Sequence, residues 1–129
     1  MPNESEHAEK YRQNRVMLDG PPTLVSVSGP WAATVAFYAA VHLIEQLAAH
    51  EGIHHARHVG QASRAGYLAT HPVHRVLVSD LSALYSVSRI ARYDSATMFA
   101  TAYPGDMVQT ILIDQCLARI EAHVRVHLP

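Results

Sequence analysis

The sequence predicts an all-α protein, an up-and-down bundle of four to five helices forming a single domain over residues 1–129. Three observations point there. Apolar residues recur at three- and four-residue spacing along most of the chain. Neither sustained alternation nor an Asn-Gly hairpin signal occurs, and no 20 to 50 residue repeat is visible. Most prolines and glycines fall where helices begin or stop. With 129 residues, 49% hydrophobic and 16% charged, the chain can bury one core without disulfides or metals.

The first helix is predicted from about Glu4 to Leu18, where Glu6, Glu9, Lys10, Arg12 and Arg15 are interleaved with Ala8, Tyr11 and Val16-Met17. Asp19-Gly20-Pro21-Pro22 stops it. Residues 23–29 have local strand character but no partner, and read as a connecting loop. Gly29-Pro30 opens the second helix, with proline at its first position. That helix runs to about His50, is apolar nearly all round and is expected at the centre of the bundle. Gly52 ends it. A weaker third helix covers about Ala56 to Ala69, where Gly60 and Gly66 each cost about 1 kcal/mol relative to alanine, making it the most loosely held. Thr70-His71-Pro72 reads as a cap with proline in the first turn, opening a fourth helix to about Tyr93. Its buried stripe is Val73, Val76-Leu77, Leu81, Leu84, Ser88 and Ala91. Turn chemistry fills Asp94 to Gly105 around a short turn at Met98-Phe99. The fifth helix follows from about Asp106 to Val126.

Ten Lys+Arg, eleven Asp+Glu and ten His give a formal charge of −1. There is no standing positive field of the kind that coats nucleic acid or binds a basic helix to a membrane surface. The single cysteine, Cys116, cannot form an internal disulfide, and the acidic start of the chain is unlike a signal peptide. A reducing, cytoplasmic setting is the expectation. Trp31 to Ile44, the longest mostly apolar stretch, falls short of the roughly 18 residues a span requires, so no membrane association is expected. The sequence also lacks a phosphate-cradling glycine loop, CxxC, G-x-S-x-G and H-E-x-x-H.

The histidines carry what chemistry can be read. His54 and His58 are four apart, a spacing at which two imidazoles on one helical face share a metal. The adopted reading is a solvated, histidine-rich turn, with no resident metal or cofactor. His42 lies within the most apolar helix, flanked one turn away by Tyr38 and Gln46, and a buried imidazole needs partners for both nitrogens. At the end of the fourth helix, Ser88 and Arg92 share a face. Arg92 is expected to point inward or along a groove, where a guanidinium holds a carboxylate or phosphate through two parallel hydrogen bonds. Arg89 is expected to be solvated.

Three segments, Phe37-Tyr38-Ala39-Ala40-Val41-His42-Leu43-Ile44-Glu45, then Gly52-Ile53-His54 through His58, then Tyr85-Ser86-Val87-Ser88-Arg89-Ile90-Ala91-Arg92-Tyr93, together resemble small prokaryotic HEPN domains. Their order and spacing agree across nearly the whole chain. The resemblance implies a four- to five-helix bundle, a homodimer, and membership of a toxin–antitoxin, CRISPR or phage-defence system. It also implies RNA as a ligand and a metal-independent endoribonuclease activity in active members. Those members carry an arginine followed after four to six residues by a histidine, usually with a polar residue straight after the arginine. Here Arg64 and His71 alone meet the spacing, with Ala65 in the polar position and His71 at a helix boundary. Cleavage would be acid/base transesterification at the ribose 2′-hydroxyl, with a histidine moving the proton and an arginine stabilising phosphorane charge. The candidates are Arg64 with His71, or His42 and His58 with Arg92. The alternative is a non-catalytic dimeric partner of a nucleotidyltransferase, antitoxin or other companion. A metal-binding bundle, on the His54 and His58 spacing, is a third reading. His54, His55 and His74 read as solvated turn residues, and His7, His50, His123 and His127 lie in polar or terminal stretches that require no function.

Overall fold

The computed structural model describes residues 3–53, 60–104 and 106–128, and every regular element among them is helical. The first, α1, spans Glu4–Asp19. The Asn3 side chain accepts a hydrogen bond from the Glu6 amide at 2.9 Å, and Glu4 and Glu6 sit in the positively polarised first turn. The helix ends at Gly20, whose φ is +68°; a Cβ there would lie 2.0 Å from the Pro22 carbonyl oxygen, so only glycine fits.

The segment read as a loop contains one helical turn, α2, at Leu24–Val27. Local bonding accounts for it: the Ser26 amide donates to Thr23 and the Ser28 amide to Leu24, at 3.1 and 2.8 Å. Ser28 then returns to extended backbone and its hydroxyl caps α3, Gly29–His50, by accepting from the Trp31 amide. As its composition predicts, α3 is the central helix and contacts every other α-helix. It is long and apolar enough to cross a membrane, but 78% of its most apolar window is buried within the bundle, the pattern of a core helix. Its end is sharply defined. Gly52 takes φ +82°, its amide donates to Ala49, and the Ile53 amide reaches back to Ala48 at 2.8 Å, the paired bonds of a Schellman stop. That stop fixes Glu51 at the helix end.

The third predicted helix is seen as α4, Gly60–Thr70; the portion expected at 56–59 lies outside the described residues. The next helix starts later than its sequence suggests. Thr70 cannot cap it, because its hydroxyl donates back to the Gly66 carbonyl at 2.8 Å within α4. Residues 71–74 form a turn and Arg75–Leu77 one 3₁₀ turn before α5, Val78–Tyr93. Val73 and Val76 therefore precede the helix and are exposed, while Leu77, Leu81, Leu84 and Ser88 are buried. The Met98-Phe99 turn proves to be a full short helix, α6, Ala96–Ala102, capped by Ser95 and anchored by buried Phe99. The last long helix begins as a π-helical segment, Val108–Leu117, and continues as α7, Ala118–His127.

The core centres on Ile44 and Leu47 of α3, Leu68 of α4, Leu81 and Leu84 of α5, and Leu112, Leu117 and Ile120 of the last helix. A polar clamp joins α5 to α7: buried Asp80 accepts from Arg119 Nε at 3.0 Å and Nη2 at 2.7 Å, a bidentate pair. On the other side Tyr11 of α1 donates to Glu121 of α7, and with Leu18 buried this seats α1 against the bundle.

Candidate functional site

Two polar assemblies stand out from the apolar interior. The first is a groove of about 500 Å³ lined by Pro30, Trp31, Thr34, Tyr38, Ala91 and Arg92. Because Ser28 and Pro30 fix where α3 begins, Trp31, Thr34 and Tyr38 fall at i, i+3 and i+7 and form one stripe. Arg92, in the last turn of α5, lies along that stripe. Its Nε donates to the Ser88 carbonyl at 3.2 Å and its Nη1 to the Tyr38 hydroxyl at 3.0 Å. Its guanidinium carbon sits 5.9 Å from the Tyr38 ring centre and 5.5 Å from that of Tyr93, within cation–π range. No carboxylate pairs with Arg92 among the described residues. Trp31 is 64% exposed at the rim, an indole face open to a planar ligand.

The second assembly joins the ends of α3, α4 and α7 to the turn before α5. His74 is only 2% exposed. Its Nε2 lies 3.1 Å from a Glu51 oxygen and its Nδ1 lies 2.9 Å from Nε2 of His123. His127 stacks on His123 with ring centres 4.3 Å apart, and its Nδ1 meets the His123 carbonyl at 2.9 Å. Tyr67 donates to Glu51, and its ring lies tilted against that of His71, with centres 4.6 Å apart. Burial alone would raise the Glu51 pKa, but the hydrogen bonds from Tyr67 and His74 outweigh it and carry it below the ordinary glutamate value. The His123 pKa is lowered, first by burial and then by repulsion from His127 and His74.

Among protein-family models, curated proteins and solved structures, nothing matches this chain.

The sequence candidates are dispersed. Arg64 and His71 lie two turns apart on one side of α4 and its end, but no hydrogen bond joins them among the described residues. Arg64 Nη1 is 3.3 Å from Oε1 of Glu45, with both side chains mostly buried, and its Nε is buried without a hydrogen-bond partner among the described residues. His71 Nδ1 lies 2.7 Å from the Tyr67 carbonyl, so Nδ1 carries the proton and Nε2 the lone pair. His42 is half-buried, with Nδ1 3.1 Å from Nδ1 of His7. Its pKa drops to about 4, through burial first, then the charges of His7 and Lys10. His58 lies outside the described residues, as do His54 and His55. Arg92 does run along a groove, and its partners are Tyr38 and Ser88 rather than His42.

Sequence reading missed the second assembly. His74 is buried rather than a solvated turn residue, His123 and His127 meet it, and His7 is buried against His42. One signal was legible: His123 and His127 have the same four-residue spacing that drew attention to His54 and His58. Nothing local announced Glu51, Tyr67 or His74 as their neighbours.

Proposed function

We propose that the chain is a HEPN-type helical domain of a nucleic-acid-linked or defence system, and that the Arg92 groove holds a nucleotide. The observation carrying this reading is the meeting of two of the three resemblance segments. Phe37–Glu45 and Tyr85–Tyr93 pack together through the Phe37 and Tyr85 rings at 5.5 Å and through Arg92 on Tyr38. They supply what a single-stranded nucleotide needs: a guanidinium with no carboxylate partner among the described residues, for the phosphate, and an exposed indole on which a base stacks. With a net charge of −1, affinity rests on these local contacts rather than on a long-range field.

Two activities fit the fold. In the ribonuclease reading, His71 moves the 2′-hydroxyl proton and Arg64 stabilises the phosphorane. The Glu45–Arg64 pair favours the second reading, a non-catalytic homodimeric partner of a nucleotidyltransferase or antitoxin. A carboxylate already bound to Arg64 offsets the charge that the transition state would use.

Trp31 is the sole tryptophan, so its fluorescence reports directly on the groove. Titration with a short single-stranded RNA should quench it, and Arg92→Ala should weaken binding about tenfold or more, the scale of a lost charged hydrogen bond. Unchanged fluorescence at saturating RNA would remove the groove as the binding face. Cleavage assayed in EDTA separates the activities. RNA cut by the wild type but not by Arg64→Ala or His71→Ala is the ribonuclease result, while intact RNA with a bound groove is the partner result.

A further inference from the structure

We propose that His74, His123 and His127 form a binding site for one divalent transition-metal ion of the zinc class, with Glu51 holding His74 in the ligating tautomer. The site shares no residue with the Arg92 groove and does not depend on the function proposed for it.

Geometry comes first. One ring nitrogen from each of the three histidines can be chosen so that all lie within 4.8 Å of one another. Tetrahedral zinc with Zn–N bonds of about 2.0–2.1 Å places its nitrogens about 3.3 Å apart, so small ring rotations close the set. His123 and His127 are one turn apart in α7, which directs both rings to one side, and the turn preceding α5 brings His74 across from them.

The hydrogen bonds select the right tautomers. A carboxylate only accepts, so His74 Nε2–H donates to Glu51, which leaves the lone pair on Nδ1, facing His123. A backbone carbonyl likewise only accepts, so His127 Nδ1–H donates to the His123 carbonyl, which leaves the lone pair on Nε2. Only His123 must move a proton, because its Nε2 donates to His74 Nδ1 when no ion lies between them. Glu51 is itself fixed by the Schellman stop of α3 and by Tyr67. A carboxylate behind a ligating imidazole is the usual support of a metal site. Three neutral imidazoles suit zinc, nickel, copper or iron rather than magnesium or calcium. They also leave a fourth position for water or an anionic ligand, the open arrangement of catalytic centres.

The test uses full-length protein made without a histidine tag, stripped with chelator and titrated with Zn²⁺ by calorimetry and with Co²⁺ by visible absorption. One ion per chain is expected, with the visible bands of a four- or five-coordinate cobalt. His123→Ala/His127→Ala should abolish stoichiometric binding. Glu51→Gln should weaken it about 10–100-fold while keeping one ion per chain. A His54→Ala/His55→Ala/His58→Ala variant should bind as the wild type does. Should the α7 variant fail to fold, imidazole ¹⁵N shifts in the wild type supply the answer: Zn²⁺ must move His74 Nδ1, His123 Nε2 and His127 Nε2. Absence of binding, binding that survives loss of the α7 histidines, or loss of binding in the 54/55/58 variant overturns the site. Unchanged affinity in Glu51→Gln overturns the role given to Glu51.

Discussion

Lowering the pH from 7 to 5 should destabilise this protein through His42, and His42→Gln should remove that part of the loss. The folded-state pKa is about 4 against an ordinary 6.5, so between these values the unfolded chain binds the proton and the folded chain does not. Stability from the group is therefore complete above pH 6.5 and drains away as pH falls toward 4. Taken at face value, the shift is worth about 1.8 kcal/mol between pH 7 and 5. The ring is half-buried and partly screened by water, which reduces the expected effect to about 1 kcal/mol. The groups that set it are His7 and Lys10 on α1, Glu45 on α3 and Arg64 on α4, of which only Glu45 favours the charged ring. Urea unfolding of wild type and His42→Gln at both pH values measures the difference. The free energy of the wild type should fall between pH 7 and 5 by about 1 kcal/mol more than that of the variant. Equal losses in the two proteins would refute the argument, since the ring would then titrate alike folded and unfolded.

Two further substitutions probe the bundle. Gly66→Ala should raise stability by about 0.5–1 kcal/mol, because Gly66 is inside α4 and an added Cβ meets nothing within 4 Å; a lower thermal midpoint would contradict this. Leu84→Ala should cost about 2–5 kcal/mol in chemical denaturation, because Leu84 has no exposed surface where α5 meets the core. A cost below 1 kcal/mol would mean the site collapses onto the cavity. RNA quenching of Trp31 fluorescence and Zn²⁺ titration of the α7 histidine variants complete the set.

The helices were legible because their ends are local events. Gly20, Pro30 and Gly52 each act on neighbours within a few residues, and α1 ends and α3 begins and ends within a residue or so of where those signals place them. The failures share a cause. Thr70 has the sequence of a cap, but its hydroxyl had an acceptor within its own helix, so α5 starts eight residues later. Residues 24–27 look extended by composition, yet the turn between Thr23 and Ser28 closes its own hydrogen bonds. In both cases two local structures compete, and the one whose hydrogen bonds close within a few residues is the one adopted.

For the candidate sites the division is sharper. Ser88 and Arg92 were readable as one face because they are a turn apart, and Tyr38 and Trp31 as one stripe of α3; that the two stripes face one another is a matter of how α3 and α5 pack. Composition supplied the ten histidines, the recurrence of apolar residues supplied the all-α bundle, and the four-residue spacing of His123 and His127 was there to be read. Only the tertiary structure decided that His74, 49 residues before His123, would be buried against it with Glu51, 23 residues before His74, at its back. Helical period links residues three and four apart, whereas contacts between helix ends depend on crossing angles and chain reversals that no local pattern encodes.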